Sequence, residues 1–174
     1  MNLVQMMNYA WDKRQSNSAE ELECYVRNLL SHAHVDYDRI FRANGYPEDK
    51  AFYAIQTVLI FISLSDNDFL QGEYDAYVKY CNWAGIKPLT VADCRAFYER
   101  NTTQRLVDDI SLLKSYRYQL GDDLYDSMVT AFCLISLLGD KAFDENEYYI
   151  IRCFFDEGID YCPSNWEQFK REWY

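Results

Sequence analysis

The chain has 174 residues, of which 49% are hydrophobic, and it carries a formal net charge of −11. This composition excludes an intrinsically disordered chain and predicts a packed domain of ordinary size. The acidic excess disfavours direct binding to nucleic acids and to anionic membranes, because both depend on Lys and Arg. We therefore expect a protein partner or a cation.

Apolar residues recur at steps of three and four along most of the chain, and only six Gly and three Pro interrupt them. This pattern predicts an all-α fold of seven or eight helices. In the helix predicted at 20–41, Leu22, Val26 and Leu29 form the apolar stripe, and His34 and Asp38 belong to the opposite, wet stripe. The other predicted helices are 51–64, 73–84, 91–100, 106–120, 124–138, 145–156 and 165–173.

The second half of the chain repeats the order of elements in the first half: an apolar helix, a polar loop, a helix, a turn and a short aromatic helix. The positions that match without a gap are Asp66 and Asp140, Phe69 and Phe143, Glu73 and Glu147, and Tyr74 and Tyr148. Such a repeat predicts two helix pairs packed about a pseudo-twofold axis.

These boundaries divide one predicted domain, 1–174, into four parts. They are an N-terminal helical element (1–46), a first repeat (49–100), a connecting helix (102–120) and a second repeat (123–174). Within each repeat, we expect the Phe of the polar loop to insert into the core. The Glu of the next helix is expected in its first turn, where a carboxylate stabilises unsatisfied N–H groups. Asp144 and Glu147 have the spacing of a capping box.

The repeat, and above all the stretch LGDKAFDENE at 138–147, resembles the TerB-like family associated with tellurite resistance. The resemblance extends from about residue 51 to the C-terminus. It implies an all-helical fold of two such repeats. Family members usually have Gly directly after the Asp, where this chain has Asn67 and Lys141.

The same resemblance implies a divalent-cation site, for Ca²⁺, Mg²⁺ or Mn²⁺, in the polar loops. The candidate ligands are Asp66, Asp68 and Glu73 in the first repeat, and Asp140, Asp144 and Glu147 in the second. Hard cations bind sets of carboxylate oxygens of this kind. The alternative is that these carboxylates only cap helices and turns. No other cofactor is indicated.

Both histidines of the chain lie in the segment 31–38. On a helix, His34 and Asp38 form a solvated pair one turn apart, and His32 and Asp36 form another that points about 200° away. The two pairs would coordinate one metal only if the helix were broken. His34 and Asp38 are instead candidates for contact with a partner. Trp166 and Trp173, in the aromatic C-terminal region, are candidates for the same role.

Nothing in the sequence has the spacing of a catalytic motif, so we expect no enzymatic activity. The six cysteines form no C-x-x-C pair. With no signal peptide and no long apolar span, they predict free thiols in a cytoplasmic protein. A secreted disulfide framework and a hydrolase with a Cys or His centre remain as alternatives.

Taken together, the sequence predicts a non-enzymatic TerB-like domain that senses a ligand or divalent ion, or acts as an adaptor, in a stress or defence response. The alternative is an acidic inhibitor or immunity protein that blocks a basic surface of a toxin, nuclease or other nucleic-acid-binding protein. Convergence of the two acidic loops would favour the first hypothesis. Clustering of carboxylates on one face would favour the second.

Overall fold

A computed structural model describes residues 1–66, 68–101, 103–139 and 142–173. Over these ranges the chain is all-helical, which confirms the predicted fold class. The helices are α1 (Leu3–Ser16), α2 (Ala19–Ala43), α3 (Lys50–Leu64), α4 (Gln71–Ala84), α5 (Val91–Arg100), α6 (Thr103–Ser115), α7 (Arg117–Leu120), α8 (Asp122–Ser136), α9 (Glu145–Arg152) and α10 (Trp166–Trp173).

The described residues thus form ten helices, and the predicted number of seven or eight is wrong. The N-terminal element contains two helices, because α1 ends at Ser16 and Ser18 caps the start of α2. The helix predicted at 106–120 is interrupted at Tyr116, and the one predicted at 145–156 ends at Arg152. Buried side chains such as Phe154 continue the apolar pattern beyond the point where the helical backbone stops.

Helix α2 packs on two sides, against α4 and against α8, with its most extensive contacts to these two helices. Val26, Ala33 and Tyr37 are fully buried, as the apolar stripe predicts. His34 is buried as well, although the sequence pattern predicts it on the wet stripe. That assignment is wrong because a second helix covers the side of α2 that a single-stripe pattern leaves to water.

Helix α3 is the most deeply buried element of the fold. Every one of its residues except Lys50 and Tyr53 is buried, and it contacts α2, α4, α5, α6, α8 and α9. Full burial of an Ile, Leu or Phe side chain contributes about 1.5–3 kcal/mol, so this helix supplies much of the hydrophobic stabilisation. Even so, no helix in the described ranges has the length and apolar character needed to cross a membrane.

A buried ion-pair network connects the N-terminus, α7 and the segment between α9 and α10. Arg117 of α7 donates two hydrogen bonds to the Asp160 carboxylate, at 2.6 and 2.8 Å, and the ammonium group of Met1 lies 2.8 Å from the same carboxylate. Burial by itself would raise the pKa of Asp160, but the hydrogen bonds from Arg117, the Asp156 backbone and the ammonium group hold it well below its usual range. Backbone hydrogen bonds from Leu3 to Tyr161 and from Tyr161 to Met1 complete the connection.

Two tyrosines at matching positions fasten α4 and α9 to the turns that follow them. The Tyr74 hydroxyl donates to the carbonyl of Leu89, and the Tyr148 hydroxyl donates to the carbonyl of Pro163. Each bond spans 15 residues of the chain. The spacing within the two predicted repeats is therefore matched by a tertiary contact.

Replacing Tyr148 by Phe should lower the free energy of unfolding by about 1–2 kcal/mol, because the buried carbonyl of Pro163 loses its donor. Urea unfolding followed by circular dichroism measures the change. Tyr149→Phe is the matched control, since Tyr149 is the next residue of the same helix and is 43% exposed. Equal effects of the two substitutions would show that the Tyr148 hydrogen bond contributes nothing specific.

Candidate functional site at the junction of the two acidic loops

The first acidic loop, residues 65–70, joins α3 to α4. Its Asp66 carboxylate accepts a hydrogen bond from the Asp68 backbone amide at 3.2 Å, while the Asp68 side chain is exposed. Glu73, in the first turn of α4, is fully buried and accepts from the Leu70 backbone amide at 2.8 Å. This is half of a capping box, because Leu70 has no side-chain acceptor for the reciprocal bond.

The second acidic loop, residues 137–144, joins α8 to α9 and ends in a complete capping box. Asp144 accepts from the Glu147 backbone amide, and Glu147 accepts from the Asp144 backbone amide, both at 2.9 Å. The predicted capping box is thereby confirmed, and Glu147 is fully buried like Glu73. Asp140, the remaining predicted ligand, lies outside the described residues.

The two acidic loops lie against each other. The Asn146 side-chain amide donates to the carbonyl of Ser65 at 3.3 Å. Gly72 approaches the other loop so closely that a Cβ atom there would lie 2.8 Å from the carbonyl oxygen of Leu138. In the alignment of the repeats, Gly72 and Asn146 are equivalent, so each contacts the end of the apolar helix of the other unit.

A phenylalanine fixes each acidic loop to the core, as the sequence predicts. Phe69 is buried against Tyr74 and Tyr77. Phe143 is buried within a larger aromatic cluster, where its ring contacts Phe169, Trp166 and Trp173. The loop ends are held by packing as well as by capping, so the positions of their carboxylates are restricted.

Helix α1 contributes to the same region through residues that the sequence reasoning missed. The Arg14 guanidinium donates to the carbonyl of Gly139 at 3.0 Å and lies 5.2 Å from the Trp11 ring. Trp11 and Trp173 meet edge to face at 6.2 Å, and together with Asn8 and Ala142 they line a cleft of about 270 Å³. The positively charged side chain of Arg14 therefore already lies at the second acidic loop.

The two predicted partner-binding tryptophans have different positions. Trp173 lines the cleft beside the second loop. Trp166 is half-buried, and its ring stacks on Phe169 at 5.6 Å, inside the aromatic cluster. Of this pair, Trp173 is the residue placed next to a surface that a partner could contact.

Of the described candidate ligands, Asp68 has an exposed side chain, and the other four serve as helix or turn caps. In the ranges that the structure covers, no three His, Cys, Asp or Glu side chains are grouped closely enough to hold a metal ion. Capping by Asp66, Glu73, Asp144 and Glu147 agrees with the alternative to a metal site. Because Asp140 lies outside the described residues, the divalent-cation site stays a prediction.

His34 is part of the core instead of forming a solvated pair with Asp38. Its ring is buried against Phe52, Tyr80 and Trp83, and its Nδ1 atom lies 2.8 Å from the Tyr80 hydroxyl. Asp38 pairs with Arg42 at 3.1 Å. The predicted solvated pair is therefore wrong, because α4 covers the face of α2 that the sequence pattern leaves to water.

Burial lowers the pKa of His34 below its ordinary value of 6.5, and the nearby Asp38 and Asp49 carboxylates offset part of this effect. The neutral ring is thus the form that the folded chain prefers. The thiols of Cys81 and Cys94 are also buried, which raises their pKa values to about 11 and about 12.

Comparison with protein-family models, with curated proteins and with solved structures finds no match to this chain.

Gly72→Ala should destabilise the protein by about 1–2 kcal/mol, because the new Cβ would press against the backbone carbonyl of Leu138. In an open helix the same change would stabilise, by about 1 kcal/mol. Thermal unfolding measures the effect, with Gln71→Ala as the control at the preceding exposed position. A Gly72→Ala variant as stable as the native chain would contradict the close approach of the loops.

Stability should fall on acidification because of His34. The unfolded chain takes up a proton as the pH drops through the ordinary value of 6.5, whereas the folded chain resists protonation. The contribution is complete above that pH and is lost as the pH falls toward the lower, folded pKa. Unfolding free energies from pH 7.5 to about 5 should show a flatter profile in His34→Gln. His32→Gln, which replaces the exposed histidine, should keep the native profile.

Proposed function

We propose that this chain is a non-catalytic binding domain of TerB-like architecture, whose two helix-loop-helix repeats bring their acidic loops to one junction. The ligand proposed for that junction is a divalent cation, held by carboxylates of both loops. In this proposal the domain acts as an ion sensor or an adaptor in the cytoplasm, within a stress or defence response.

One observation carries the proposal: the contacts between the loops are reciprocal. Asn146 bonds to Ser65, and its counterpart Gly72 lies against Leu138, which is one position short of the counterpart of Ser65. The tyrosine bonds to Leu89 and Pro163 correspond in the same way. Matched contacts of this kind support descent of both halves from one unit and a pseudo-twofold axis between them.

Convergence of the loops also supports the cation as ligand. Carboxylates that are distant in the sequence, such as Asp68 and Asp144, belong to loops that lie side by side. Oxygen ligands from two adjacent loops suit a hard cation, which takes six to eight of them for Ca²⁺.

The chemistry of the potential nucleophiles supports a non-catalytic role. A thiol acts as a nucleophile in its thiolate form. Burial raises the pKa values of Cys81 and Cys94, and it lowers that of His34, whose Nδ1 atom is occupied by Tyr80. These groups are therefore poorly suited to form an activated Cys–His pair.

The cation hypothesis is tested by thermal unfolding of chelator-treated protein, with and without millimolar Ca²⁺, Mg²⁺ or Mn²⁺. We expect one cation to raise the melting temperature by mass action, by about 2.7 kcal/mol of apparent stability at a concentration one hundred times its dissociation constant. Asp68→Asn combined with Asp140→Asn should abolish the rise. Unlike Glu73 and Glu147, Asp68 does not cap a helix, so its replacement removes a candidate ligand without removing a cap, and the melting temperature without cation measures any effect on folding.

The control is Asp123→Asn, which removes another exposed carboxylate, in the first turn of α8 and at the opposite end of that helix from the second loop. It should leave the cation effect intact. If no cation raises the melting temperature, the loop carboxylates act only as helix and turn caps. The net charge of −11 would then make the acidic inhibitor or immunity protein the better hypothesis.

A further inference from the structure

A second cleft lies between α2 and α4, at the end of α4 opposite to the loop junction. Its volume is about 370 Å³, and it is lined by Cys24 and Arg27 of α2 and by Lys79, Asn82 and Trp83 of α4. Ten residues of helix separate Glu73 from Trp83, which is about 15 Å. The cleft is within the size range of about 300–1,000 Å³ that small-molecule sites occupy.

Trp83 gives this cleft a rigid aromatic wall. Its ring stacks on Tyr80 with an interplanar angle of 11°, and Tyr80 in turn stacks on Phe52 in the core. The His34 ring meets Trp83 edge to face at 5.0 Å. Although Trp83 is 39% exposed, its orientation is thus determined by buried neighbours. A preorganised ring of this kind binds a second aromatic ring without a large loss of entropy.

Arg27 gives the cleft an incompletely satisfied cation. Its Nε atom is buried and has no hydrogen-bond partner in the described part of the chain. Its guanidinium donates to the Asn28 side chain at 2.7 Å, and no described carboxylate lies within ion-pair distance of it. Nε itself is closed to a ligand, but the side chain is only half-buried and lines the cleft, so its Nη–H groups can donate to an anionic oxygen there.

Of the two cationic side chains that line the cleft, Arg27 is the one available to bind an anion. Lys79 is paired with Glu23 at 2.8 Å, and Glu20 lies near Lys79. The charge of Lys79 is therefore compensated, whereas that of Arg27 is not. The side chain of Asn82 can donate to or accept from the edge of a ring.

We propose that this cleft binds a small planar aromatic anion, whose ring stacks on Trp83 and whose carboxylate or phosphate accepts hydrogen bonds from Arg27. The guanidinium comes from α2 and the aromatic ring from α4, and both line the same cleft. This site is independent of the cation site proposed at the loop junction, because it shares no residue with it.

Isothermal titration calorimetry of chelator-treated protein tests the proposal with two pairs of probes. Naphthoate is compared with neutral naphthamide, and adenosine monophosphate with adenosine. In the pair that fits, the anion should bind about tenfold or more tightly than the neutral compound, since charge-assisted hydrogen bonds are about twice as strong as neutral ones. Binding by naphthoate identifies a carboxylate ligand, and binding by the nucleotide identifies a phosphate ligand.

Arg27→Gln and Trp83→Leu should each weaken the binding of that anion about tenfold or more, by loss of the ion contact and of ring stacking. The controls are Arg39→Gln, which removes a 70% exposed arginine from the same helix, and Trp11→Leu, which removes a tryptophan of the same 39% exposure. Both controls should bind as the native chain does.

The indole N–H signals of the four tryptophans test the native protein without any substitution. The Trp83 signal should shift on addition of the anion, and the Trp11 signal should not. Equal affinity for an anion and its neutral counterpart would overturn the proposal. So would an equal loss of affinity in the Trp11 or Arg39 control, or the absence of both heat and a Trp83 shift with millimolar probe.

Discussion

The fold depends on the burial of α3, a helix with almost no side that water contacts. Only Lys50 and Tyr53 of this helix are left unburied, so other helices must cover it in every direction. Six helices do so, from both halves of the chain. This requirement explains why α2 packs between α4 and α8, because it has to shield α3 and also join the halves. A covered α2 in turn places His34 in the core, where its ring orients Trp83.

The same arrangement brings the two acidic loops together. Each apolar helix, α3 and α8, ends at a loop whose phenylalanine inserts into the core. Helices α3 and α8 are in contact, and the loops that follow them meet where Asn146 bonds to Ser65. Gly72 allows one of these approaches, because any side chain there would overlap the carbonyl of Leu138. The carboxylates of the junction therefore have two tasks to reconcile, the capping of helices and the proposed binding of a cation.

Charge is distributed unevenly in this acidic chain. Asp160 is enclosed by Arg117 and the N-terminal ammonium, so its charge is satisfied within the fold. Arg27 shows the opposite situation, a cation without a described carboxylate partner. A buried group that is paired contributes to holding the structure together, whereas an incompletely satisfied one raises the question of a ligand. The loop junction and the cleft at Trp83 are thus separate candidate sites with opposite charge preference.

The sequence by itself determined the helical class, most helix positions and the capping roles, because these depend on local spacing and on contacts three or four residues apart. It also indicated the repeat, and Phe69 and Phe143 lie where that repeat places them. The stripe of Leu3, Met6 and Met7 could have revealed α1, but no local pattern could pair Arg14 with Gly139. Only the tertiary structure decided the burial of His34, the contact between the loops and the cleft at Arg27. These depend on which helix covers which face, and that is set by long-range packing around α3.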